Sequence, residues 1–222
     1  MNEDLIDLLI TGIGETLFMV FLSTLLALIL GLPLGIFLVI TEKGHIAQLP
    51  KINKILGTII NVFRSFPFII LIVILLPLSR IIVGTSLGST AAVVPLSIGA
   101  APFLARIIEN SLKEVERGKI EAALAMGATN FKIILRVLIP EALPSLVRGV
   151  TLAIITITGF TASAGAIGAG GLGSLAIRFG YMRFRNDVMI ATIIVLVVFV
   201  QVIQLGGDLL AKSINKKRHK FD

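Results

Sequence analysis

Four stretches without a single Asp, Glu, Lys or Arg dominate the sequence: Thr16 to Thr41 (26 residues), Ile81 to Ala105 (25), Gly149 to Ile177 (29) and Val188 to Gly207 (20). At about 1.5 Å per residue each is long enough to cross roughly 30 Å of hydrocarbon as a helix. A fifth candidate, Ile55 to Leu78, is apolar apart from Asn61 and Arg64; an Arg near a helix end can lift its guanidinium to the interface. Lipid offers no partner to a backbone N–H or C=O, so such runs fold as helices or closed barrels, and continuous runs without alternation exclude the barrel. The sequence therefore predicts an all-α membrane protein. Its five transmembrane helices fall at about 12–41, 55–79, 81–107, 145–170 and 187–210, in one membrane domain over 1–222 with a cytoplasmic segment at about 110–140. Only 15% of residues are charged, against roughly 25% in soluble domains.

An odd number of spans puts the termini on opposite sides. With the C-terminus inside, fourteen of the Lys and Arg residues are cytoplasmic, among them Lys43, Lys113, Lys132 and Lys216, and four (Arg80, Arg178, Arg183 and Arg185) are outside. The positive-inside rule then predicts N-terminus outside and C-terminus cytoplasmic. No base precedes Lys43, so the first run lacks the basic n-region of a cleaved signal peptide and reads as a retained helix. The formal charge of +7 with 6% aromatic residues places bases beside lipid headgroups; the partner is the bilayer and not nucleic acid.

Little in the chain can carry chemistry. There is no cysteine, and His45 and His219 sit in separate polar segments with no acidic or cysteine cluster beside them. The apolar runs hold no ionisable relay of the kind proton-coupled transporters use. No internal repeat supports an inverted-repeat transporter within one chain. No Walker A loop is present, so any ATP is bound by another polypeptide. Gly168, Gly170 and Gly173 spell G-x-G-x-x-G with Asp187 beyond, but the motif ends a membrane run where a dinucleotide site needs a strand before it. That stretch, Ala164 to Gly173, serves either tight packing or a backbone-lined cavity. Gly31, Pro33, Gly35, Gly84, Gly88, Pro95, Gly99 and Pro102 predict close helix packing with kinks at which a bundle can flex.

The segment Asn110 to Arg148 is the most informative. Lys119 to Met126 contains mainly strong helix formers, Gly127 suits a left-handed helix end, and a second helix is expected from Thr129 or Asn130. This predicts a short helix across the membrane surface. Ala122, Ala123 and Ala125 give it low-relief faces that can seat in a partner's groove, and Glu121 is favourably placed near its N-terminal end. Pro140 and Pro144 are expected to mark a change of direction into the fourth span.

Glu121-Ala122-Ala123, Gly127 and Val137-Leu138-Ile139-Pro140 resemble the E-A-A-x-x-x-G-x(9)-I-x-L-P signature of permease subunits in ABC importers. Glu, both Ala, Gly and Pro match in spacing; Val137 and Ile139 replace the usual Ile and Leu. The whole chain is similar to permeases of methionine ABC importers, most clearly in Arg64-Ser65-Phe66-Pro67-Phe68, Leu138-Ile139-Pro140-Glu141-Ala142, Ser163 to Gly173, and Gly180-Tyr181. The resemblance implies a type I ABC importer permease fold with a cytoplasmic coupling helix, in a bacterial cytoplasmic (inner) membrane. It also implies a second copy of the chain, two ATPase subunits below and a substrate-binding lipoprotein or periplasmic protein above. Glu121, Ala122, Ala123, Gly127 and Pro140 would couple to the ATPase. ATP and Mg would be held by that partner, with no cofactor in this chain and no catalytic residue. Methionine specificity follows from the resemblance alone. An importer for another small amino acid or solute, and a channel or scaffold without ATP coupling, are the alternatives.

A zwitterionic substrate would meet no acid or base near mid-membrane, so hydroxyls and backbone groups must receive it. Thr158, Thr161 and Ser163, beside Gly159 and Gly165, are the candidate path residues. The competing reading is that each hydroxyl bonds the carbonyl one turn back.

Overall fold

In the computed structural model, which describes residues 2–218, the apolar runs form helices; His219 and Lys220 lie outside the described residues. The order is α1 (Asn2–Ile40), α2 (Pro50–Ser65), α3 (Phe68–Val83), α4 (Ser89–Lys113), α5 (Arg117–Ala125), α6 (Asn130–Ile133), α7 (Ile139–Ala166), α8 (Gly171–Leu175) and α9 (Asn186–Arg218). π-helical turns at Ile134–Leu138 and Ala176–Tyr181 join α6 to α7 and extend α8. Among the described residues, four helical stretches are long and apolar enough to cross a membrane: Leu5–Ile40, Ser89–Lys113, Asn130–Ala166 and Asn186–Lys216. The bent pair α2 and α3 makes a fifth if taken as one crossing.

α4 is the central helix, packed against α1, α7, α3 and α2. Its contact with α1 depends on the Gly31 and Gly35 pair four residues apart. A Cβ on Gly31 would lie 3.0 Å from the Ala101 carbonyl oxygen, and one on Gly35 only 2.7 Å from that of Ala105. Backbone therefore meets backbone, the geometry that small residues allow in lipid. Val20 and Ala27 of α1, Ala100 and Leu104 of α4, and Ala153 and Ile157 of α7 close the core where these three helices meet.

Several expectations are corrected. The span expected at 55–79 is two 16-residue helices bent by 102°. Phe66, before Pro67, takes an extended conformation (φ −70°, ψ 131°), because the proline ring disfavours a helical residue ahead of it. The span expected at 81–107 begins at Ser89: Gly84 (φ 84°) ends α3 and Gly88 (φ 90°) precedes α4, so both glycines shape a left-handed connection and not a helix contact. Pro140 and Pro144 do not redirect the chain, since Asn130–Ala166 runs on as one 37-residue helical stretch. The π turn just before Pro140 is the local adjustment that lets a helix pass a residue without an N–H. Of the two readings of the glycine-rich stretch, packing holds at Gly165 and Gly173. A Cβ on the first would collide with the backbone of Gly173 and Ser174, and one on the second with the backbone of Ala162.

Candidate functional site

The signature segment folds as α5 and closes as its sequence predicts. Gly127 adopts φ 77°. Its N–H donates to the Leu124 carbonyl (2.9 Å), and the Ala128 N–H donates to the Ala123 carbonyl (3.0 Å). These paired bonds satisfy the orphan carbonyls of a helix that ends on a left-handed residue. The Thr129 hydroxyl faces the Lys132 N–H at 3.5 Å and starts α6.

α5 is fixed to one end of the long helices, beside the close of α1 and α4 and the start of α7, by apolar packing. Ile120 and Ala123 are buried in a cluster with Val39 of α1, Ile108 and Leu112 of α4, and Ile133 and Leu138. Lys119 Nζ also meets the Glu141 carboxylate of α7 at 2.7 Å; such an exposed pair adds only ~0–1 kcal/mol, so orientation comes chiefly from the cluster. The connection between α1 and α2 lies against the same segment, where Asn130 Nδ2 donates to the Ile46 carbonyl (3.3 Å). In that connection the His45 imidazole is held below its ordinary pKa. Burial is the main cause; Glu42 opposes it, and the cations Arg117 and Lys113 add to it.

Glu121, Ala122, Ala123 and Gly127 therefore lie on one short segment, but not on one face. Glu121 and Ala122 are exposed, whereas Ala123 is buried against its own chain. The face free to meet a partner consists of Ala122, Ala125, Leu124 and Met126, the last 81% exposed. Gly127 is exposed with open space where a Cβ would point. Pro140 is exposed on α7, next to the Glu141 that meets Lys119. Sequence reasoning missed Leu124, Met126, Phe131 and Leu135, all exposed. The available signal was large apolar side chains among Glu116, Arg117, Lys119, Glu121, Lys132 and Arg136, where a solvated helix would carry none in a patch.

The three path candidates are placed differently. Thr158 and Thr161 are each 2% exposed. Their hydroxyls donate to the Ile154 carbonyl (2.9 Å) and the Thr158 carbonyl (2.7 Å). Both are thus packed within a single copy with their donors engaged, the arrangement that the competing reading of helix hydroxyls describes. Ser163 is half-buried and alone of the three reaches the surface. None of them lines the open cavity of about 660 Å³ between the first half of α1 and residues 170–185, where Asp7, Glu15, Ser174 and Arg178 share the lining with Leu8, Leu175 and Phe179.

Comparison with known proteins adds to this geometry. Residues 31–220 match the family described as binding-protein-dependent transport system inner membrane component. The chain is 44% identical over 211 residues to the probable D-methionine transport system permease protein MetI of Vibrio cholerae, covering 95% of this chain and 94% of that protein. It is 48% identical over 165 residues to the D-methionine transport system permease protein MetI of Escherichia coli K12, covering 74% and 76%. A chain from inward facing conformations of the MetNI methionine ABC transporter superposes with a TM-score of 0.95 at 46% identity, covering 96% of this chain and 99% of that one. An amino acid ABC transporter solved with histidines shares the fold at 22% identity and a TM-score of 0.70. A membrane bundle with a docked surface helix and a family match over most of its length leads to one conclusion: the chain belongs to the family of binding-protein-dependent transport system inner membrane components.

Proposed function

We propose that this protein is the membrane-spanning permease of an ATP-driven importer for methionine, working as two copies beneath an extracytoplasmic binding protein and above two ATPase subunits. The observation that carries the reading is α5. It is a short helix fixed by its apolar side to the inner ends of α1, α4 and α7, and it offers Ala122, Leu124, Ala125 and Met126 outward. Such a surface transmits a push into the bundle without dissipating it in a loose linker. ATP and Mg would be held by the partner ATPases. Closure of those subunits on ATP would carry α5 with it, and the helices attached to α5 would rotate between outward and inward access. The fourteen-to-four distribution of bases supports an N-terminus outside and a cytoplasmic C-terminus. Methionine is supported by the naming of the relatives that match over most of both chains. Within the bundle, Ser163 supports a substrate path along the exposed side of α7 between two copies; Ser163→Phe should slow uptake while leaving basal ATP hydrolysis intact. The testing experiment is purification of the tagged chain co-expressed with an ATPase subunit of a methionine ABC importer. Stable co-purification, with hydrolysis stimulated by the methionine-loaded binding protein, is expected. A permease that purifies alone and conducts solute without ATP would identify a channel instead.

A further inference from the structure

The inner third of the bundle holds a charge network that the coupling surface does not explain. Glu109 of α4 is only 6% exposed. One of its oxygens meets Arg106 Nη1 at 2.6 Å and the other meets Lys113 Nζ at 2.9 Å, and Lys113 continues to Glu42 at 3.0 Å. The second arm of the Arg106 guanidinium leaves α4: Nη2 donates to the carbonyl of Gly57, in the middle of α2, at 2.7 Å. A Cβ on Gly57 would stand 3.1 Å from Nη2, close enough that the guanidinium would have to give by a few tenths of an ångström, and a larger side chain would press it further.

Two costly choices converge on this one contact. A glycine inside a helix costs about 1 kcal/mol relative to alanine. A buried ion pair is commonly no more stable than apolar residues of similar volume, and here the Arg106 Nε is buried without a partner. Stability alone does not account for either. Their positions do, because the fork of Arg106 joins two parts of the molecule that must move together. On one side, Ile108 and Leu112, within two turns of Arg106, share the apolar cluster with Val115, Ile120 and Ala123, so the end of α4 and α5 form one packed body. On the other, α2 is the inner half of the crossing that breaks by 102° at Phe66 and Pro67. Its remaining polar tie to the bundle is at its start, where Asn53 Nδ2 donates to the Leu38 carbonyl and to Thr41 Oγ1 (2.5 and 2.9 Å).

We infer that Arg106 is a positioning residue for transport: held by Glu109, its guanidinium grips the Gly57 backbone and makes α2 follow the coupling segment about the break at Pro67. The inference rests on the coupling role proposed for α5. Leu56 and Ile60 of α2 also pack on Leu34 and Leu38 of α1 and Ala105 of α4; to this apolar seat the Arg106–Gly57 bond adds a directional grip on the α2 backbone.

The test uses the assembled permease–ATPase complex and the absence of native cysteines. Spin labels at Thr58→Cys report the separation of the two α2 helices between copies, and labels at Gly118→Cys report that of the two coupling segments. In the otherwise native protein, ATP should change both distances. In Arg106→Gln the Gly118 pair should still respond while the Thr58 pair loses its response. Substrate-stimulated transport should then fall within the roughly 5- to 150-fold range of coupling free energies, with basal hydrolysis retained. Gly57→Val, which displaces the guanidinium without removing a charge, should act in the same direction, and Arg106→Lys should restore part of the response. A Thr58 pair that responds normally in both Arg106→Gln and Gly57→Val overturns the inference. A Gly118 pair that does not respond to ATP even in the native protein overturns the coupling role on which it rests, a different and separable result.

Discussion

Replacing Gly127 separates the two demands a coupling segment can make at its turn: a left-handed backbone, or room for a partner to approach closely. The residue sits at φ 77° with nothing within 4 Å of where a Cβ would point, so within this chain the cost of a side chain is conformational only. An L residue held in the left-handed region costs about 1–2 kcal/mol, and a β-branched one more. Asparagine visits that region readily and should be nearly neutral. Because the two closing bonds, Gly127 N–H to Leu124 and Ala128 N–H to Ala123, form only in this conformation, the same penalty shifts the population of the properly ended segment. A change of one to two kcal/mol is roughly a 5- to 30-fold change in that equilibrium. Transport by reconstituted complexes should rank Gly, then Gly127→Asn, then Gly127→Ala, with Gly127→Val lowest, while assembly of the two permease copies is unaffected. If Gly127→Asn is as damaging as Gly127→Val, the position is reserved for close approach by the ATPase and the conformational argument is refuted.

Met126→Glu places a charge on the most exposed apolar side chain of the coupling surface and should reduce ATPase co-purification and stimulated hydrolysis without changing the helix content seen by circular dichroism. Gly35→Leu forces side-chain atoms into the Ala105 backbone and Ile108; overpacking of this kind costs about 1–3 kcal/mol, read as a lowered midpoint in thermal unfolding of the detergent-solubilised chain. For His45 the folded pKa lies below the ordinary 6.5, so below about pH 6.5 the unfolded chain binds more protons than the folded one and stability falls as pH falls. His45→Asn should flatten that slope between pH 7 and 5. An impermeant maleimide applied to intact cells should label Arg183→Cys and spare Gly118→Cys, and the reverse pattern would invert the orientation.

The long crossings were legible because lipid tolerates no charge, and a charge-free run longer than 20 residues has few other uses. The break at Pro67 was not, since Phe66 to Leu76 continues the apolar run across it and hydropathy is blind to a local φ/ψ constraint. The end of α5 was legible in Gly127, where one residue type and one conformation go together. Its orientation was not: Ala122, Ala123 and Ala125 are equivalent by type, and only the tertiary cluster that receives Ile120 and Ala123 decides which side is buried. Hydroxyls along α7 suggested a path, but a Thr in a helix can satisfy itself, and Thr158 and Thr161 do. In the sequence Arg106 is only the base that follows the run Ile81 to Ala105; its partners, Glu109 three residues on and Gly57 on another helix, meet only in the folded bundle.

The most direct test of the account is uptake of labelled methionine into proteoliposomes that hold this chain, its ATPase and the cognate binding protein, with ATP trapped inside. Uptake that requires ATP and the binding protein, and that is lost in Met126→Glu while the bilayer stays sealed, is the predicted result. Uptake that proceeds without ATP, or an ATPase that hydrolyses at the stimulated rate with Met126→Glu while methionine still enters, would contradict it.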